Sequence, residues 1–580
     1  MSKIYLHQTH HTLADFSNIS QYLKTHFKNE GLHIFPELFL TGYPLQDLCL
    51  QRSFISAYEA LLSSLNEWSK TLPKTWTSRA LLGGLAYEMN EKGFPNKITN
   101  VIYEIVPGQA LKAIYTKRLL PNYDIFDEQK YFSAGSQNAF YEFDQKTYGL
   151  LICEDMWHSS VHPIDPCEEM LQECEKKKMN LAGVINLSAS PFDSEKIERR
   201  LVRGCELSNL FKAPFIYVNR VGAEDEILFD GSSFIANGDD ILLQGKAFEA
   251  QILEWDSKVP KGNYQTPELT DENTWEGLFT PHLNFSKKPI ELKSWSDAQC
   301  ELIIKGLCFG LQEYAKKSGF KNFLVALSGG IDSALVLAII KIALKDDQKV
   351  EAIYMPSIHS SSLSTQLSED MCRRIGIKLG FLPIKFLHSS VKNAFTSTFP
   401  EPFTGLVDEN IQSRLRGTLL YTRSNQTNAM VINTSNKSEL AVGYSTQYGD
   451  SVGAISLLGD LFKIEVYRLS EYINRVHGDL IPEGIMDRGP SAELRDNQLD
   501  EDSLPPYKRL DAILEGILSY RLDVPGLVAG GFDEQEIRKV FSLYVKSEYK
   551  RKQFCPIIKT KSKSFGFGYR VPISKSLNFY

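Results

Sequence analysis

The stretch that most limits what this chain can fold into is residues 324–340, LVALSGGIDSALVLAII. An apolar, β-branched run enters a Ser-Gly-Gly turn, and a second apolar run of helical length leaves it. Two further strand-like runs, VEAIYMP (350–356) and AMVINT (429–434), follow, each trailed by helical periodicity. Strand, helix, strand at this spacing permits a parallel sheet with right-handed crossovers, whose ligands sit beyond the carboxyl ends of the strands. The Ser-Gly-Gly loop lies at such an end. Its backbone N–H groups and the helix start behind it favour an anion, and Ser328 and Ser333 add hydroxyl donors. No Gly-Lys-Ser/Thr follows, so this is not the usual nucleotide-hydrolysing loop. Asp332 would repel a phosphate unless a cation stood between them, which brings Mg2+ into the reading, since a hard cation takes carboxylate and phosphate oxygens together.

A second alternation precedes this one. LHIFPEL (32–38), RALLGGLAY (79–87), NVIYEIV (100–106), YGLLICED (148–155), AGVINLS (182–188) and PFIYVNRVG (214–222) are strand-like, with helices such as 193–210 between several of them. Both halves therefore read as α/β. The segment after about residue 258 is polar, proline-bearing and aperiodic, so it divides the chain into 1–257, a linker at 258–295, and 296–580. A length of 580 residues requires more than one core. The formal net charge of −7 argues against a nucleic-acid or anionic-membrane partner. The opening MSKIYLHQTHHTLADF has the form of neither a secretory signal nor an anchor, so a cytoplasmic enzyme is expected. Nine cysteines without a Cys-x-x-Cys pair suit reduced thiols and no zinc site. Cys167 and Cys174, seven apart on an expected helix, read as packing residues.

Three segments of the first half carry chemistry: FPELFLTGYP with Glu37 at a strand end, YTKRLLPNYDIFDE with Lys117, and LLICEDMW with Cys153. A carboxylate near a thiol can take its proton, and an ammonium favours the thiolate and steadies an oxyanion. Taken singly, Cys153 reads as a buried strand thiol. His158 and His162 invite a cysteine–histidine pairing, but the signature of such proteases is absent. Glu128 and Glu154 either assist Cys153 or pair with Lys117.

SGGIDS resembles the pyrophosphate loop of the N-type ATP pyrophosphatases, which cleave ATP between its α- and β-phosphates and adenylate an acceptor. ENIQSRLRGTLLYTRSN (409–425), the run from Asn433 to Leu469, MPSIHSSSLS and SAELRDNQLDEDSLPPYKRLD resemble NAD synthetase motifs. That resemblance covers roughly residues 296–575 and implies a Rossmann-like parallel-sheet domain. It also implies ATP binding at Leu327, Ser328, Gly329, Gly330, Ile331, Asp332, Ser333, Ala334 and Thr434. Mg2+ would be held by Asp332 and Glu439, and deamido-NAD bound at Asn410, Glu439 and Lys550. Arg414, Arg416, Lys437 and Lys463 are candidate phosphate partners, with a solvated helix face as the alternative for Arg416 and Lys463. The tail KSEYKRKQF (546–554) either closes over the dinucleotide or is a flexible end. Ser435 stands where the family pattern has glycine.

The first half, roughly 3–256, resembles the nitrilase superfamily and, within it, the glutaminase domain fused to NAD synthetases. The resemblance implies a four-layer αββα sandwich with Glu37 as general base, Lys117 as oxyanion stabiliser and Cys153 as nucleophile. Tyr123, Ser190 and Lys196 match positions that grip glutamine. Lys196 stands where some relatives have arginine, which keeps charge but loses a bidentate clamp. The expected partners are small molecules, namely glutamine, ATP and deamido-NAD, with neither nucleic acid nor membrane, in a homo-oligomer. Two other readings stay open: an inactive first domain beside an ammonia-dependent synthetase, and an amidotransferase for a different adenylated acceptor.

Overall fold

The computed structural model describes residues 3–28, 30–158, 162–256, 292–491, 493–495 and 498–576. The chain divides into two units, residues 1–280 and 281–580. Most of the expected linker, up to residue 291, lies outside the described residues. Of its remaining part, Leu292 packs on the core of the second unit and Trp295 is buried.

In the first unit the strands are β1 (Ile4–Gln8), β2 (Leu32–Ile34), β3 (Arg79–Met89), β4 (Pro95–Ile105), β5 (Lys112–Thr116), β6 (Ala139–Phe143), β7 (Lys146–Ile152), β8 (Gly183–Ser188), β9 (Phe215–Asn219), β10 (Val221–Glu224), β11 (Ile227–Asp230), β12 (Phe234–Asn237), β13 (Asp240–Gln244) and β14 (Gln251–Trp255). Two six-stranded sheets form, in the orders β14-β1-β2-β3-β4-β5 and β13-β12-β9-β8-β7-β6, and β10 and β11 make a separate hairpin. The inner faces meet in one core: Leu6, Ile34, Leu81 and Ile102 from one sheet, Leu150, Ile152, Ile185 and Val218 from the other. The alternation of β-strands sends Leu151, Val184, Phe215 and Tyr217 to the opposite face, where they pack on Met170 and Cys174 of the helix Pro166–Lys177 and on Leu201 and Cys205 of the helix Lys196–Phe211. Helices Phe16–His26 and Arg52–Thr71 serve the first sheet; Tyr58 of the latter donates to the Leu85 carbonyl. This is the αββα sandwich, and Cys167 and Cys174 are indeed buried helix residues.

The second unit is built on one sheet, with β15 (Asn322–Ala326), β16 (Lys349–Tyr354), β17 (Leu379–Phe381), β18 (Ala429–Asn433) and β19 (Ile455–Ser456) in the order β17-β16-β15-β18-β19. Every pairing in it is parallel. The strand order reverses direction at β15, which places the crevice of such a sheet at the end of that strand. Helix Ile331–Ala343, apolar almost throughout, is buried from Ala334 to Ile340, which explains why its sequence shows little polar face. The tail does not fray: Arg551 is buried, donating to the carbonyls of Ala441 and Tyr544.

Candidate active sites

In the first unit, three strand ends bring together residues far apart in sequence. Glu37 follows β2, Lys117 follows β5, and Cys153 follows β7 as the first residue of a 3-10 turn, Cys153–Met156. The Glu37 turn presses onto β3 at Gly83, where a Cβ would lie 2.4 Å from the Leu38 nitrogen, so only glycine admits that approach. Lys117 is fully buried, with its Nζ 2.7 Å from Glu37 Oε1 and 2.8 Å from Glu128 Oε2. Asn100 Nδ2 donates to Glu37 Oε1 at 2.7 Å, the Ala189 N–H to Glu37 Oε2 at 2.8 Å, and Tyr43 OH to Glu128 Oε1 at 2.9 Å. Each carboxylate thus has its direction fixed by neighbours that themselves belong to the sandwich.

Cys153 is buried, and its φ of 45° is the left-handed backbone that a non-glycine residue adopts at a cost of about 1–3 kcal/mol, a feature concentrated at functional sites. Burial pushes the thiol well above its usual range, Glu37 adds to that, and Lys117 pulls the other way. The resting sulfur is therefore a thiol with a carboxylate and an ammonium acting on it. Burial works against the charge on Lys117, but Glu128 and Glu37 overcome it and hold the ammonium well above the usual lysine range. Burial raises Glu128 to about 7 against the pull of Lys117.

The residues matched to glutamine contacts surround this cluster. Tyr123 OH donates to Glu154 at 3.0 Å, and His162 Nε2 stands 3.2 Å from the same carboxylate. His158 lies 3.4 Å from Asp165. Glu154 therefore serves Tyr123 and His162, whereas Glu128 takes Lys117. The Ser190 N–H donates to Asn219 Oδ1 at 2.8 Å. Lys196 opens its helix with Nζ 5.6 Å from the centre of the Phe126 ring; burial lowers its pKa, countered by Asp193.

In the second unit, a cavity of about 540 Å³ opens at the ends of β15 and β18. Leu327, Ser328, Gly330, Ile331, Asp332, Ser333, Thr434, Asn410, Glu439 and Lys550 line it, together with Arg414, Arg416 and Lys463. Gly329 and Ala334 stand behind the lining: Gly329, at φ +80°, backs onto Ser364, and Ala334 is buried in the helix. Ser328 Oγ and Ser333 Oγ are 3.1 Å apart, and the Gly330 N–H donates to Ser328 Oγ, so the loop holds its own shape. Asn410 accepts from Thr446, and Lys550 Nζ donates to the carbonyls of Gly443 and Ser445. Ser435 is buried and lies outside the left-handed region, so its backbone does not require glycine.

Lys437 does not serve the cavity. Lys437 is itself buried, and its Nζ is spent 2.9 Å from the buried Asp460 and on the Lys563 carbonyl, so it is not among the residues that line the opening. Lys463 takes that place, 2.5 Å from Asp332 Oδ2 and 3.5 Å from Glu439 Oε1. Asn436 ties the two acids, donating to Asp332 and accepting from the Glu439 N–H. Burial and then Asp332 raise Glu439 to about 8, against Lys463. Two such oxygens that already draw in an ammonium, beside a loop open to phosphate, fit a Mg2+ held through one or two carboxylates and substrate oxygens.

An αββα carbon–nitrogen hydrolase unit joined to a parallel-sheet nucleotide-activating unit is the class of enzyme these two sites define. Residues 11–162 match the carbon-nitrogen hydrolase family and residues 303–554 the NAD synthase family. The chain is similar to glutamine-dependent NAD(+) synthetases of Acinetobacter baylyi (34% identity, 94% of this chain and 92% of the relative) and Synechocystis sp. (33%, 96% and 94%). It is also similar to the solved ADP complex of glutamine-dependent NAD+ synthetase from Acinetobacter baumannii, with 30% identity, a TM-score of 0.70 and coverage of 99% and 98%. The chain belongs to the glutamine-dependent NAD(+) synthetase family.

Proposed function

We propose that the first unit hydrolyses glutamine at Cys153 and that the second uses the ammonia to convert deamido-NAD to NAD. Glu37 takes the thiol proton as sulfur bonds to the amide carbon, and ammonia leaves with that proton. Water activated by the same carboxylate then cleaves the thioester, giving glutamate and the free thiol. Lys117 donates to the oxyanion of each tetrahedral intermediate. Tyr123, Ser190 and Lys196 hold the α-amino and α-carboxylate groups of the substrate.

In the second unit, the loop 327–334 and Thr434 receive ATP, and Asn410, Glu439 and Lys550 receive deamido-NAD. The nicotinate carboxylate attacks the α-phosphorus, pyrophosphate leaves, and ammonia displaces AMP from the acyl-adenylate. Mg2+, held by Asp332 and Glu439, would neutralise the charge that spreads over the transferring phosphoryl. Arg414 and Arg416 add fixed positive charge there. Residues 1–257 and 296–580 are assigned as the two functional domains. Homo-oligomeric assembly and a cytoplasmic location belong to the proposal as well, resting on the resemblance. Among the described residues no helix is long and apolar enough to cross a membrane.

The observation that carries this reading is the wholly buried Lys117 in ion pairs with Glu37 and Glu128, beside a cysteine in left-handed backbone. A core without chemical work gains little from such a cluster, since apolar packing is often as stable as a buried ion pair. The test is release of AMP and pyrophosphate with a panel of carboxylate acceptors, using glutamine or an ammonium salt as nitrogen source. Turnover confined to deamido-NAD and supported by glutamine is expected. Turnover with another acceptor, or turnover that an ammonium salt supports and glutamine does not, would replace the reading.

A further inference from the structure

We infer that Asp155 is a positioning residue of the glutaminase site, a single buried carboxylate that fixes the backbone of the nucleophile to the backbone of the lysine. Asp155 has no exposed surface. Its Oδ1 accepts the N–H groups of Arg118 at 3.0 Å and Leu119 at 2.7 Å, the two residues directly after Lys117. Its Oδ2 accepts the Ile152 N–H at 3.0 Å, the residue directly before Cys153, and Tyr115 OH at 2.8 Å, two residues before Lys117. Four donors converge on one side chain, and every one of them flanks one of the two groups that must meet the substrate.

The arrangement explains how Cys153 stays in left-handed backbone. The Asp155 side chain closes the 3-10 turn by accepting from Ile152, and Asn186 Nδ2 donates to the Cys153 carbonyl at 3.3 Å. Asp155 thus holds the turn from within while binding the segment after β5 from without. Only a carboxylate can do both. It presents acceptor positions on two oxygens, whereas an asparagine would turn an NH2 group toward two of the four donors; Tyr115 OH could rotate to accept from it, but the Ile152 N–H would be left facing a donor in a dry site. Glu37 and Glu128 fix the Lys117 ammonium from the other side, so the Asp155 contacts set where the lysine backbone starts and the carboxylate contacts set where its charge ends. A displacement of about 1 Å between reacting groups costs on the order of 10²-fold in rate, which is the effect a lost tie should have.

This inference rests on the roles given to Cys153 and Lys117 under Proposed function. The experiment compares Asp155→Asn, Tyr115→Phe and Cys153→Ala in the full-length chain. It follows glutamine-supported and ammonium-supported NAD synthesis and the rate at which iodoacetamide alkylates Cys153. For Asp155→Asn, the glutamine-supported kcat should fall about 100-fold with KM for glutamine within about threefold. Alkylation should slow at least tenfold by order of magnitude, since the thiol has lost its alignment with Glu37 and Lys117. Ammonium-supported synthesis reports that the second unit is intact, and the first unit's thermal transition by scanning calorimetry reports that the unit carrying the substitution is folded. Tyr115→Phe removes one donor and keeps the carboxylate, so a smaller loss, roughly 3–10-fold in kcat, is expected from a net hydrogen bond of about 1 kcal/mol. A kcat and alkylation rate close to those of the parent in Asp155→Asn would overturn the inference, as would a loss confined to thermal stability. Should Asp155→Asn not fold, Tyr115→Phe decides: a kcat and alkylation rate equal to the parent's count against the tie, and a threefold or greater fall in both supports it. If Cys153→Ala still uses glutamine, the underlying glutaminase assignment fails; if only that variant is inactive, the inference about Asp155 alone fails.

Discussion

At the scale of single residues, the chemistry divides sharply between side chains that must react and side chains that must hold. Cys153 is the nucleophile of the proposed glutaminase, so Cys153→Ala should abolish glutamine-supported NAD formation while leaving synthesis from an ammonium salt. Mixed-substrate assays on one preparation measure both, and retained glutamine use would refute the assignment. Lys117→Met keeps the stem and removes the charge, which should lower glutamine turnover by about 10²–10³-fold with little change in KM, the loss typical of one oxyanion donor. A change carried mainly by KM would place Lys117 on the substrate instead. Glu37, Lys117 and Cys153 were legible in the sequence because each sits in a segment with a matching pattern. Asp155 was not, although it lies two residues from Cys153, because a carboxylate after a strand reads equally well as a turn or a cap. Lys437 was read toward phosphates and Lys463 weighed against a solvated face. Both are lysines at helix starts, and their different partners come from segments 23 to 131 residues away.

At the scale of elements, two features show how local geometry constrains function. Gly329 stands at φ +80°, and a Cβ there would lie 2.8 Å from the Ser364 carbonyl. Gly329→Ala should therefore distort the phosphate loop, destabilise the second unit by about 1 kcal/mol or more, and raise the KM for ATP at least tenfold by order of magnitude. Glutamine hydrolysis measured by glutamate release in the absence of ATP should be unaffected, and an unaltered KM for ATP would show that the loop tolerates a side chain.

The second feature lies under the outer face of the first sheet. His33 Nε2 faces the Glu30 carbonyl at 3.2 Å, which can only accept, so the proton sits on that nitrogen and His33 Nδ1 accepts from His7 Nε2 at 2.9 Å. His33 then carries a single ring proton and is neutral. Burial holds His33 at about 4 and His7 well below the ordinary imidazole value. The unfolded chain therefore binds protons that the folded one refuses, so stability is complete above about pH 6.5 and falls as pH drops toward 4. For His33 the loss approaches roughly 3 kcal/mol at pH 4. Scanning calorimetry between pH 7 and 4.5 should show the first unit's transition falling with acidity, and a His7→Phe/His33→Leu variant should show a flatter dependence. Equal slopes in parent and variant would remove these histidines from the account.

At the scale of the whole molecule, the two chemistries depend on each other through one reagent. The reactive nitrogen species is neutral ammonia, most of which bulk water near neutral pH would protonate before it met an acyl-adenylate. The proposed function therefore predicts that released ammonia reaches the second site without mixing with solvent. With unlabelled glutamine and excess 15N-ammonium, label should enter the NAD amide far less than free mixing requires, and incorporation that matches the bulk pool would dismiss the idea. Asp332→Ala, in contrast, should stop synthesis from either nitrogen source, because the synthetase step follows both supplies. Near-normal synthesis in that variant would remove Asp332 from the metal and phosphate role.

The parts of this protein that sequence alone determined are those written in neighbouring residues. Strand runs such as YGLLICED and NFLVAL, the glycines of SGGIDS and the buried helix behind them follow from periodicity and turn chemistry over a dozen positions. The α/β class of both halves and the order of the two sites along the chain follow from them. Short and edge strands escaped, β17 and β19 among them, because two or three residues carry no period and pairing with a neighbour makes them strands. Tertiary structure alone decided which charges meet. Lys117 and Glu37 are 80 residues apart, and Lys463 and Asp332 are 131 apart. Such pairs form only when a sheet has closed and water has left, and the energy that selects one partner over another depends on that burial rather than on spacing along the chain.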